Sequence, residues 1–171
     1  MNNNMLTVHT LIIDQLERSI KFHNWDSILS FLPKGSYLVG GYIRDIILGR
    51  ETEKVDVDIV VPLNAIEIGK KISANVGSKF IVLDKKREVI RIIFNQIYID
   101  IANQVSSTIE GDLSSRDFSI NSIAFLFDKK CLFDPLNGLK DLKLSTLRTH
   151  SEMNLLNDPL RILRCFRFVA E

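Results

Sequence analysis

The segment at residues 55–61 constrains the fold of this chain more than any other, because it alternates apolar and acidic residues and then becomes wholly apolar. This pattern predicts a strand over residues 54–61 with one buried face. Asp56 and Asp58 are two positions apart, so a strand directs both carboxylates to the same face, roughly 6 to 7 Å apart at the backbone. The chain is therefore expected to build a sheet with an acidic patch on one face.

The apolar pattern on either side of this segment predicts the remaining elements. Strands are expected at residues 37–39, 79–83, 89–94 and 97–102. Helices are expected over residues 6–32, as one or two segments, and over residues 42–48, 63–76 and 159–170. Residues 117–127 have the pattern of a helix running into an apolar strand, and residues 134–141 that of a turn. A length of 171 residues is typical of one domain, or of one domain and the start of a second.

A pair of glycines, Gly40 and Gly41, lies between the first predicted strand and a helix, shortly before the acidic strand. Glycine lets the backbone approach a triphosphate closely, and the first amides of a helix bind anions. Asp56 and Asp58 suit two Mg²⁺ ions about 3.5–4 Å apart, which bridge nucleotide phosphates and activate an attacking hydroxyl. Alternating acids alone are most often a solvated face, but together with the glycine pair they indicate a nucleotide site.

A third carboxylate, Asp100, lies on the strand expected at residues 97–102, between Ile99 and Ile101. Because successive residues of a strand face opposite ways, Asp100 is directed away from these two core-type side chains. It is either a further catalytic carboxylate beside the metal ions or an ordinary polar residue that faces solvent.

A second group of candidate residues follows Ser115. Arg116 is suited to a phosphate, since its guanidinium donates charge-assisted hydrogen bonds. Asp117 and Asn121 are four positions apart and would share one face of the expected helix, where an acid and an amide can hydrogen-bond a ribose. Taken alone, the same pattern is typical of an ordinary capped helix start.

A third group lies at the start of the last predicted helix. Asp158 and Arg161 are three positions apart and adjacent on a helix surface. A carboxylate beside a fork of guanidinium donors can read the Watson–Crick edge of a base. Arg164 continues this basic ridge and is suited to phosphates. The alternative is that Asp158 caps the helix and the arginines form a solvated face.

The charge of the chain limits the role that it can have alone. Its 22 basic and 21 acidic residues give a net charge of +1, which is little for a protein that holds RNA through many phosphate contacts. The main RNA-holding surface is therefore expected elsewhere. The sequence has no secretory signal and no apolar run of about 20 residues. We expect no membrane association and a cytoplasmic or organelle-matrix location.

Four motifs, in this order, resemble those of the class II tRNA nucleotidyltransferase and bacterial poly(A) polymerase family. They are GGYIRDIILG with DVD, SRDFSINSIAF, DPLNGLKDL and NDPLRILRCFRF, spread over about three-quarters of the chain. The resemblance implies an α+β fold, the polymerase-β-like nucleotidyltransferase head, with a mixed sheet of about five strands backed by helices. It also implies a template-independent enzyme that uses Mg²⁺ to transfer CMP and AMP from CTP and ATP to the 3′ end of tRNA.

The same resemblance implies that Asp56 and Asp58 bind metal, and that Gly40, Gly41 and Arg44 form a triphosphate cradle. It also implies that Asp117 and Asn121 contact the ribose. Asp158 with Arg161 would select CTP or ATP. Two positions depart from the family pattern. Ser115 stands where an arginine is usual, and Asn157 where a glutamate is usual. Each departure removes one charge near the expected nucleotide.

The family continues into helical neck, body and tail domains that hold tRNA. By this resemblance residues 1–145 are the nucleotidyltransferase head with an N-terminal helix, and residues 146–171 are the start of a truncated helical neck. A CCA-adding enzyme, a CC- or A-only enzyme and a poly(A) polymerase share these head motifs. A second hypothesis is a catalytically incomplete head or split subunit that needs a helical RNA-binding partner. A third, weaker one is a nucleotidyltransferase that modifies a protein or a small molecule.

Overall fold

Four helices cover one face of the sheet in the computed structural model, which describes residues 3–23, 25–50, 55–94 and 97–170. They are α1 (Asn3–Phe22), α2 (Asp26–Leu29), α3 (Gly41–Ile47) and α4 (Ala65–Val76). These bounds confirm the helices predicted over residues 6–32, 42–48 and 63–76.

The sheet has seven strands in the order β3-β4-β5-β2-β1-β6-β7. They are β1 (Tyr37–Val39), β2 (Val55–Val61), β3 (Lys79–Asp84), β4 (Val89–Phe94), β5 (Ile97–Asn103), β6 (Ala124–Leu126) and β7 (Cys131–Phe133). β2 and β5 are parallel and all the other neighbours are antiparallel. The mixed sheet is therefore confirmed. Residue 54, the first of the predicted acidic strand, lies outside the described residues.

The sheet is larger than the expected one of about five strands. β7 is absent from the prediction because its three residues are too few to show an alternating pattern. It pairs with β6 in a hairpin that extends the sheet beyond β1. The α+β fold class stands, and the unpredicted strand lies at this edge.

The two faces of the sheet have different environments. On one face, Val57 and Ile59 of β2 are buried in the main core, which also contains side chains from α1 to α4. On the other face, a smaller cluster joins Val60 to Ile109 and Leu113 of a short helix, α5 (Ile109–Ser114). Because α5 covers only part of this second face, the acidic residues of β2 remain open to solvent.

Residues 117–127 contain the predicted apolar strand, as β6, but not the helix that was expected before it. A single 3-10 turn, Ser119–Asn121, stands in its place before β6. Phe118, just before the turn, has an extended backbone and forms a β-bridge with Thr149. This pairing with a segment distant in sequence outweighs the local helical pattern, as tertiary contacts commonly do.

The turn predicted at residues 134–141 leads into a further helix, α6 (Gly138–Lys143). Asp134 accepts hydrogen bonds from the backbone N–H groups of Gly138 and Leu139, at 2.6 and 3.0 Å. The aspartate thereby satisfies two donors that the first turn of a helix leaves without partners. The turn residues of this segment therefore form a capped helix start.

The last two helices are α7 (Glu152–Leu156), which was not predicted, and α8 (Leu160–Ala170). Asp158 accepts a hydrogen bond from the backbone N–H of Leu160 at 3.2 Å, which agrees with its predicted role as a cap. Several apolar side chains of α8 are 65% to 75% exposed: Leu160, Leu163, Phe166 and Val169. Within the described residues, no helix is both long enough and apolar enough to cross a membrane.

Candidate nucleotide-binding cleft

The glycine turn lies against the acidic strand. β1 and β2 are antiparallel neighbours, with Val39 opposite Asp58. Gly40 follows with φ of 80° and ψ of −147°, a conformation that residues with side chains rarely adopt. A Cβ at this position would lie 2.6 Å from Asp58 Oδ2. Glycine is therefore required both for the backbone conformation and for the space that the carboxylate occupies.

The two acidic residues of β2 share the open face of the sheet. Asp56 and Asp58 are exposed, whereas the residues that alternate with them, Val55, Val57 and Ile59, are buried. This is the arrangement that the alternation predicted. Both carboxylates lie on the same face of β2, and that of Asp58 lies beside the glycine turn.

Asp100 lies beside Asp58 but is paired with an arginine that the sequence analysis did not single out. Asp58 and Asp100 are in register across β2 and β5, and Arg91 is in register with Asp100 across β4 and β5. Arg91 Nε and Nη2 donate to the two oxygens of Asp100 at 2.7 and 2.8 Å. Asp100 thus faces away from the core as predicted, and its charge is compensated by Arg91.

The surroundings of Asp58 fit a divalent cation. Although Asp58 is exposed as a residue, partial burial of its carboxyl group raises the pKa of that group. The positive charge of Arg116 lowers the pKa, whereas the negative charges of Asp100 and Asp56 raise it further. Neighbouring carboxylates repel one another, and a hard divalent cation bound between them offsets this repulsion. Across the described residues, no group of three or more acidic, histidine or cysteine side chains is arranged to hold a metal ion. The candidate ligands are Asp56 and Asp58, and Asp100 lies in register beside Asp58.

One space of about 340 Å³, here called the main cleft, brings most of the predicted residues together. The predicted residues that line it are Gly40, Gly41, Asp58, Asp100, Arg116, Asp117, Asn121, Arg161 and Arg164. An adjoining space of about 420 Å³ also contains Asp56 and Arg44. Four arginines line this second space, here called the arginine pocket: Arg44, Arg50, Arg164 and Arg167.

Arg44 lies beneath the glycine turn with its donors engaged. The side chain is buried, and its Nη1 donates to Asn121 Oδ1 at 2.8 Å. Its Nε and Nη2 donate to Asp45 Oδ1 at 2.9 and 2.8 Å. The guanidinium also lies over the ring of Phe168, 5.0 Å from the centroid. Arg44 therefore ties α3 to the 3-10 turn and to α8 at the base of the predicted cradle.

Asp117 presents a buried oxygen to the main cleft. The residue is 3% exposed, and its Oδ1 accepts hydrogen bonds from Phe118 N–H and Asn121 Nδ2, at 2.9 and 3.1 Å. Its Oδ2 lies 3.0 Å from Arg164 Nη2 but forms no hydrogen bond. A buried carboxylate oxygen without a hydrogen bond is costly. It is therefore available to a donor such as a sugar hydroxyl, and Asp117 and Asn121 are in contact as predicted.

Arg116 is held by a carboxylate that the sequence analysis missed. Asp112 is 2% exposed, and its Oδ2 lies 3.3 Å from Arg116 Nη2. Asp112 also accepts a hydrogen bond from the backbone N–H of Val105 at 3.0 Å. The sequence does contain a signal for this ion pair, because an acidic residue four positions before an arginine is a favourable pair on a helix. The pair fixes the direction in which Arg116 enters the main cleft.

α7 and α8 hold the loop before Asp117 through three successive carbonyl groups. Asn154 Nδ2 donates to the carbonyls of Ser114 and Arg116, both at 2.7 Å. Arg161 Nη1 donates to the carbonyl of Ser115 between them, at 2.8 Å. Arg161 therefore lines the main cleft as predicted, with one of its donors committed to the backbone. No local pattern identifies Asn154.

Asp158 lies next to Arg161, as predicted, but at the edge of the site. Arg161 Nε and Asp158 Oδ2 are 3.5 Å apart, and the Asp158 side chain is 49% exposed. Asp158 is not among the described residues that line the main cleft or the arginine pocket.

Phe168 of α8 was also missed, and it organises the arginine pocket. The guanidinium carbons of Arg44, Arg164 and Arg167 lie 5.0, 5.8 and 4.8 Å from the centroid of its ring. Cations at this distance from an aromatic face are attracted to it. A single ring thus gathers three positive charges beside the glycine turn.

The mixed sheet, the glycine turn and the acidic pair define the class of protein: the chain has the α+β head of a polymerase-β-like nucleotidyltransferase. It belongs to the poly A polymerase head domain family, which matches residues 36–148. The matched range contains every strand of the sheet, the glycine turn and the three candidate carboxylates.

Curated relatives match most of this chain. A CC-adding tRNA nucleotidyltransferase of Synechocystis sp. is 42% identical over 143 residues, which cover 84% of this chain and 34% of the relative. An A-adding tRNA nucleotidyltransferase of Deinococcus radiodurans is 39% identical over 138 residues, which cover 81% of this chain and 31% of the relative. The chain therefore spans about a third of the length of these relatives.

Solved structures of similar fold agree with this placement. A CCA-adding enzyme with CTP superimposes with a TM-score of 0.69 and 36% identity over 78% of this chain and 34% of that chain. The Thermotoga maritima CCA-adding enzyme complexed with tRNA gives a TM-score of 0.69 and 32% identity over 98% of this chain and 38% of that chain.

Proposed function

We propose that this chain is the catalytic head of a template-independent nucleotidyltransferase that transfers CMP or AMP from CTP or ATP to the 3′ end of tRNA. The observation that carries the proposal is the contact between the glycine turn and the acidic strand, where Gly40 leaves room for the Asp58 carboxylate. The names of the relatives, CC-adding and A-adding tRNA nucleotidyltransferases, support the choice of substrates.

Asp56 and Asp58 would hold two Mg²⁺ ions, because carboxylate oxygens on one strand face are ligands that this cation prefers. Bound there, Mg²⁺ would supply positive charge beside the phosphates and lower the pKa of the attacking hydroxyl. In the transfer, the 3′ oxygen of the RNA forms a bond to the α-phosphorus while the bond from that phosphorus to pyrophosphate breaks. Asp58 is well placed for this step, since it lines both the main cleft and the arginine pocket.

The arginine pocket would bind the triphosphate, and the main cleft the sugar and the base. Gly41 gives the phosphates access to the start of α3, and Arg164 adds a cation above it. The buried Oδ2 of Asp117 would accept a hydrogen bond from a ribose hydroxyl. Arg161 and its neighbour Asp158 would read the base edge, with Arg161 oriented by the carbonyl that it already holds.

Residues 1–145 would be the head and residues 146–171 the start of a helical neck. Because the chain spans about a third of its relatives, we include a helical RNA-binding region or partner subunit among its partners. The exposed apolar residues of α8 support a second candidate, a head that is active only with such a partner. The compartment that we propose, the cytoplasm or an organelle matrix, is where a tRNA acceptor is available.

The test supplies tRNA that lacks its 3′ CCA, Mg²⁺ and labelled CTP or ATP. We expect incorporation by the chain and none by Asp58→Asn, because the amide removes a metal-binding charge from an already polar face. Asp14→Asn, an exposed change on α1, is the matched control. Incorporation that needs an added helical partner would favour the second candidate, and long runs of A would indicate a poly(A) polymerase. Full activity of Asp58→Asn would contradict the metal site.

A further inference from the structure

A second groove opens beside the main cleft. It has a volume of about 550 Å³ and is here called the side groove. Three cations, Lys86, Arg87 and Arg161, line it, and none of its described lining residues is a carboxylate. The side groove shares Val105, Ser115 and Arg161 with the main cleft, so a ligand in one space can reach into the other.

Hydrogen bonds fix the turn that carries Lys86 and Arg87 and also the side chain of Arg161. Lys86 and Arg87 lie in the turn between β3 and β4, where Asp84 Oδ1 accepts hydrogen bonds from both of their N–H groups, at 2.9 and 3.0 Å. The Arg87 side chain is 82% exposed, with its Nε 3.9 Å from Asp84 Oδ2. Arg161 is fixed by the carbonyl of Ser115. A positively charged rim is therefore present before any ligand binds.

The composition of the side groove separates it from the triphosphate site. A triphosphate carries several charges on adjacent groups and needs a divalent cation, which requires carboxylates such as Asp56 and Asp58. A phosphodiester strand carries one charge per nucleotide, and lysine and arginine neutralise it directly. Val105, which is 78% exposed, gives the same groove an apolar surface against which a base can lie.

We propose that the side groove holds the last nucleotides of the RNA acceptor strand, with phosphates against Lys86 and Arg87. The 3′ hydroxyl then enters the main cleft past Val105 and approaches Asp58 from the end opposite the arginine pocket. The two polyanions, RNA and triphosphate, are kept in separate basic spaces until their reacting ends meet. The proposal rests on the proposed function, since it assigns the acceptor of that reaction.

The double variant Lys86→Ala/Arg87→Ala tests the assignment. Both side chains are exposed and their N–H bonds to Asp84 survive the change, so the fold is expected to be kept. The control is Lys70→Ala/Lys71→Ala on α4, which removes the same charge from the far side of the sheet. The readouts are the Kd for tRNA lacking CCA, measured by fluorescence anisotropy over a range of salt, and the KM for CTP.

We expect the groove variant alone to bind tRNA more weakly, with a slope of log Kd against log salt that is smaller by about 1.4, the value for two lost single-strand phosphate contacts. Its KM for CTP should stay at the wild-type value. Equal RNA binding by the two double variants, or a rise in the KM for CTP, would overturn the proposal. If the wild type incorporates no nucleotide but the groove variant alone loses RNA affinity, the groove assignment holds and the proposed function fails.

Discussion

At the scale of single residues, Gly40 lies against the Asp58 carboxylate. The space that a Cβ would fill at Gly40 is taken by a carboxylate oxygen 2.6 Å away. Since that oxygen is the free end of a side chain, a larger residue would displace it rather than break the sheet. The turn therefore sets the position of the carboxylate.

Gly40→Ala is expected to lower activity more than stability. The unusual backbone angles cost about 1–3 kcal/mol for a residue with a Cβ, and the displaced Asp58 carboxylate should reduce nucleotide incorporation per folded molecule by at least about tenfold. Thermal unfolding and incorporation assays measure the two effects separately.

Gly49→Ala is the matched control for this substitution. Gly49 also has a positive φ, 65°, but a Cβ there has no atom within 4 Å. It should lose about 1–2 kcal/mol of stability and keep its activity per folded molecule. If the two variants lose activity equally, the contact with Asp58 is not what positions the carboxylate.

At the scale of elements, α7 and α8 reach the nucleotide site through the backbone of one loop. Asn154 and Arg161 hold the carbonyls of residues 114 to 116, immediately before Asp117. A shift of either helix would therefore move Arg116 and Asp117 together. These contacts connect residues 114–116 to α7 and α8, and no described side chain of α7 lines the main cleft.

Asn154→Asp is expected to disturb this connection, because a carboxylate would face two carbonyl oxygens that now receive N–H donors. We expect a loss of about 1–3 kcal/mol in the free energy of unfolding and a rise in the KM for CTP. Asn75→Asp, exposed on α4, adds the same charge and should change neither quantity. Because a merely structural role would lower stability alone, an unchanged KM in Asn154→Asp would show that the loop does not position the nucleotide site.

A second connection between elements depends on pH. Asp141 of α6 accepts hydrogen bonds from Ser119 Oγ and from Arg148, whose Nε and Nη2 lie at 3.0 and 2.7 Å. Burial alone would raise the pKa of Asp141, but the Ser119 hydrogen bond and the Arg148 charge together bring it below the ordinary value of 3.8. The ionised carboxylate therefore ties α6 to the 3-10 turn and to the segment before α7.

This lowered pKa predicts a loss of stability in acid. A carboxyl that is more acidic in the folded than in the unfolded chain stabilises the fold above pH 3.8, and this contribution disappears as the pH falls through the folded pKa. The difference in Tm between the wild type and Asp141→Asn should be largest at neutral pH and shrink below pH 3.8. With Asp14→Asn the difference should stay near zero throughout. A difference in Tm between the wild type and Asp141→Asn that does not change with pH would contradict the lowered pKa of Asp141.

At the scale of the whole molecule, the exposed apolar residues of α8 are the most conspicuous surface feature. Leu160, Leu163, Phe166 and Val169 are all at least 65% exposed. Contiguous apolar surface of this kind marks a contact site or promotes association.

We therefore expect the chain to self-associate as its concentration rises, measured by analytical ultracentrifugation. Leu163→Gln/Phe166→Gln should reduce this association and change the stability by no more than about 0.5 kcal/mol. Leu63→Gln, an exposed apolar residue before α4, is the control and should leave association unchanged. Association that is as strong in the α8 variant as in the wild type would mean that another surface is responsible.

Much of the fold and part of the site could be predicted from the sequence because they depend on short-range periodicity. The period of two in residues 55–61 gives both β2 and the common face of Asp56 and Asp58. Within residues 117–127 the apolar pattern predicts the strand β6 correctly, but the helix expected before it is wrong because the bridge from Phe118 to Thr149 has no local signal. Asn154 was missed for the same reason, since the carbonyls that it holds are 40 and 38 positions away.

The one-sided covering of the sheet has a consequence for how such a head can change. Four helices pack on one face, and the carboxylates, arginines and glycine turn occupy the other. The main core and the reacting groups are thus on opposite faces of one sheet, so substitutions on the reacting face need not disturb the main core. Libraries confined to that side are a practical route to heads with new nucleotide preferences.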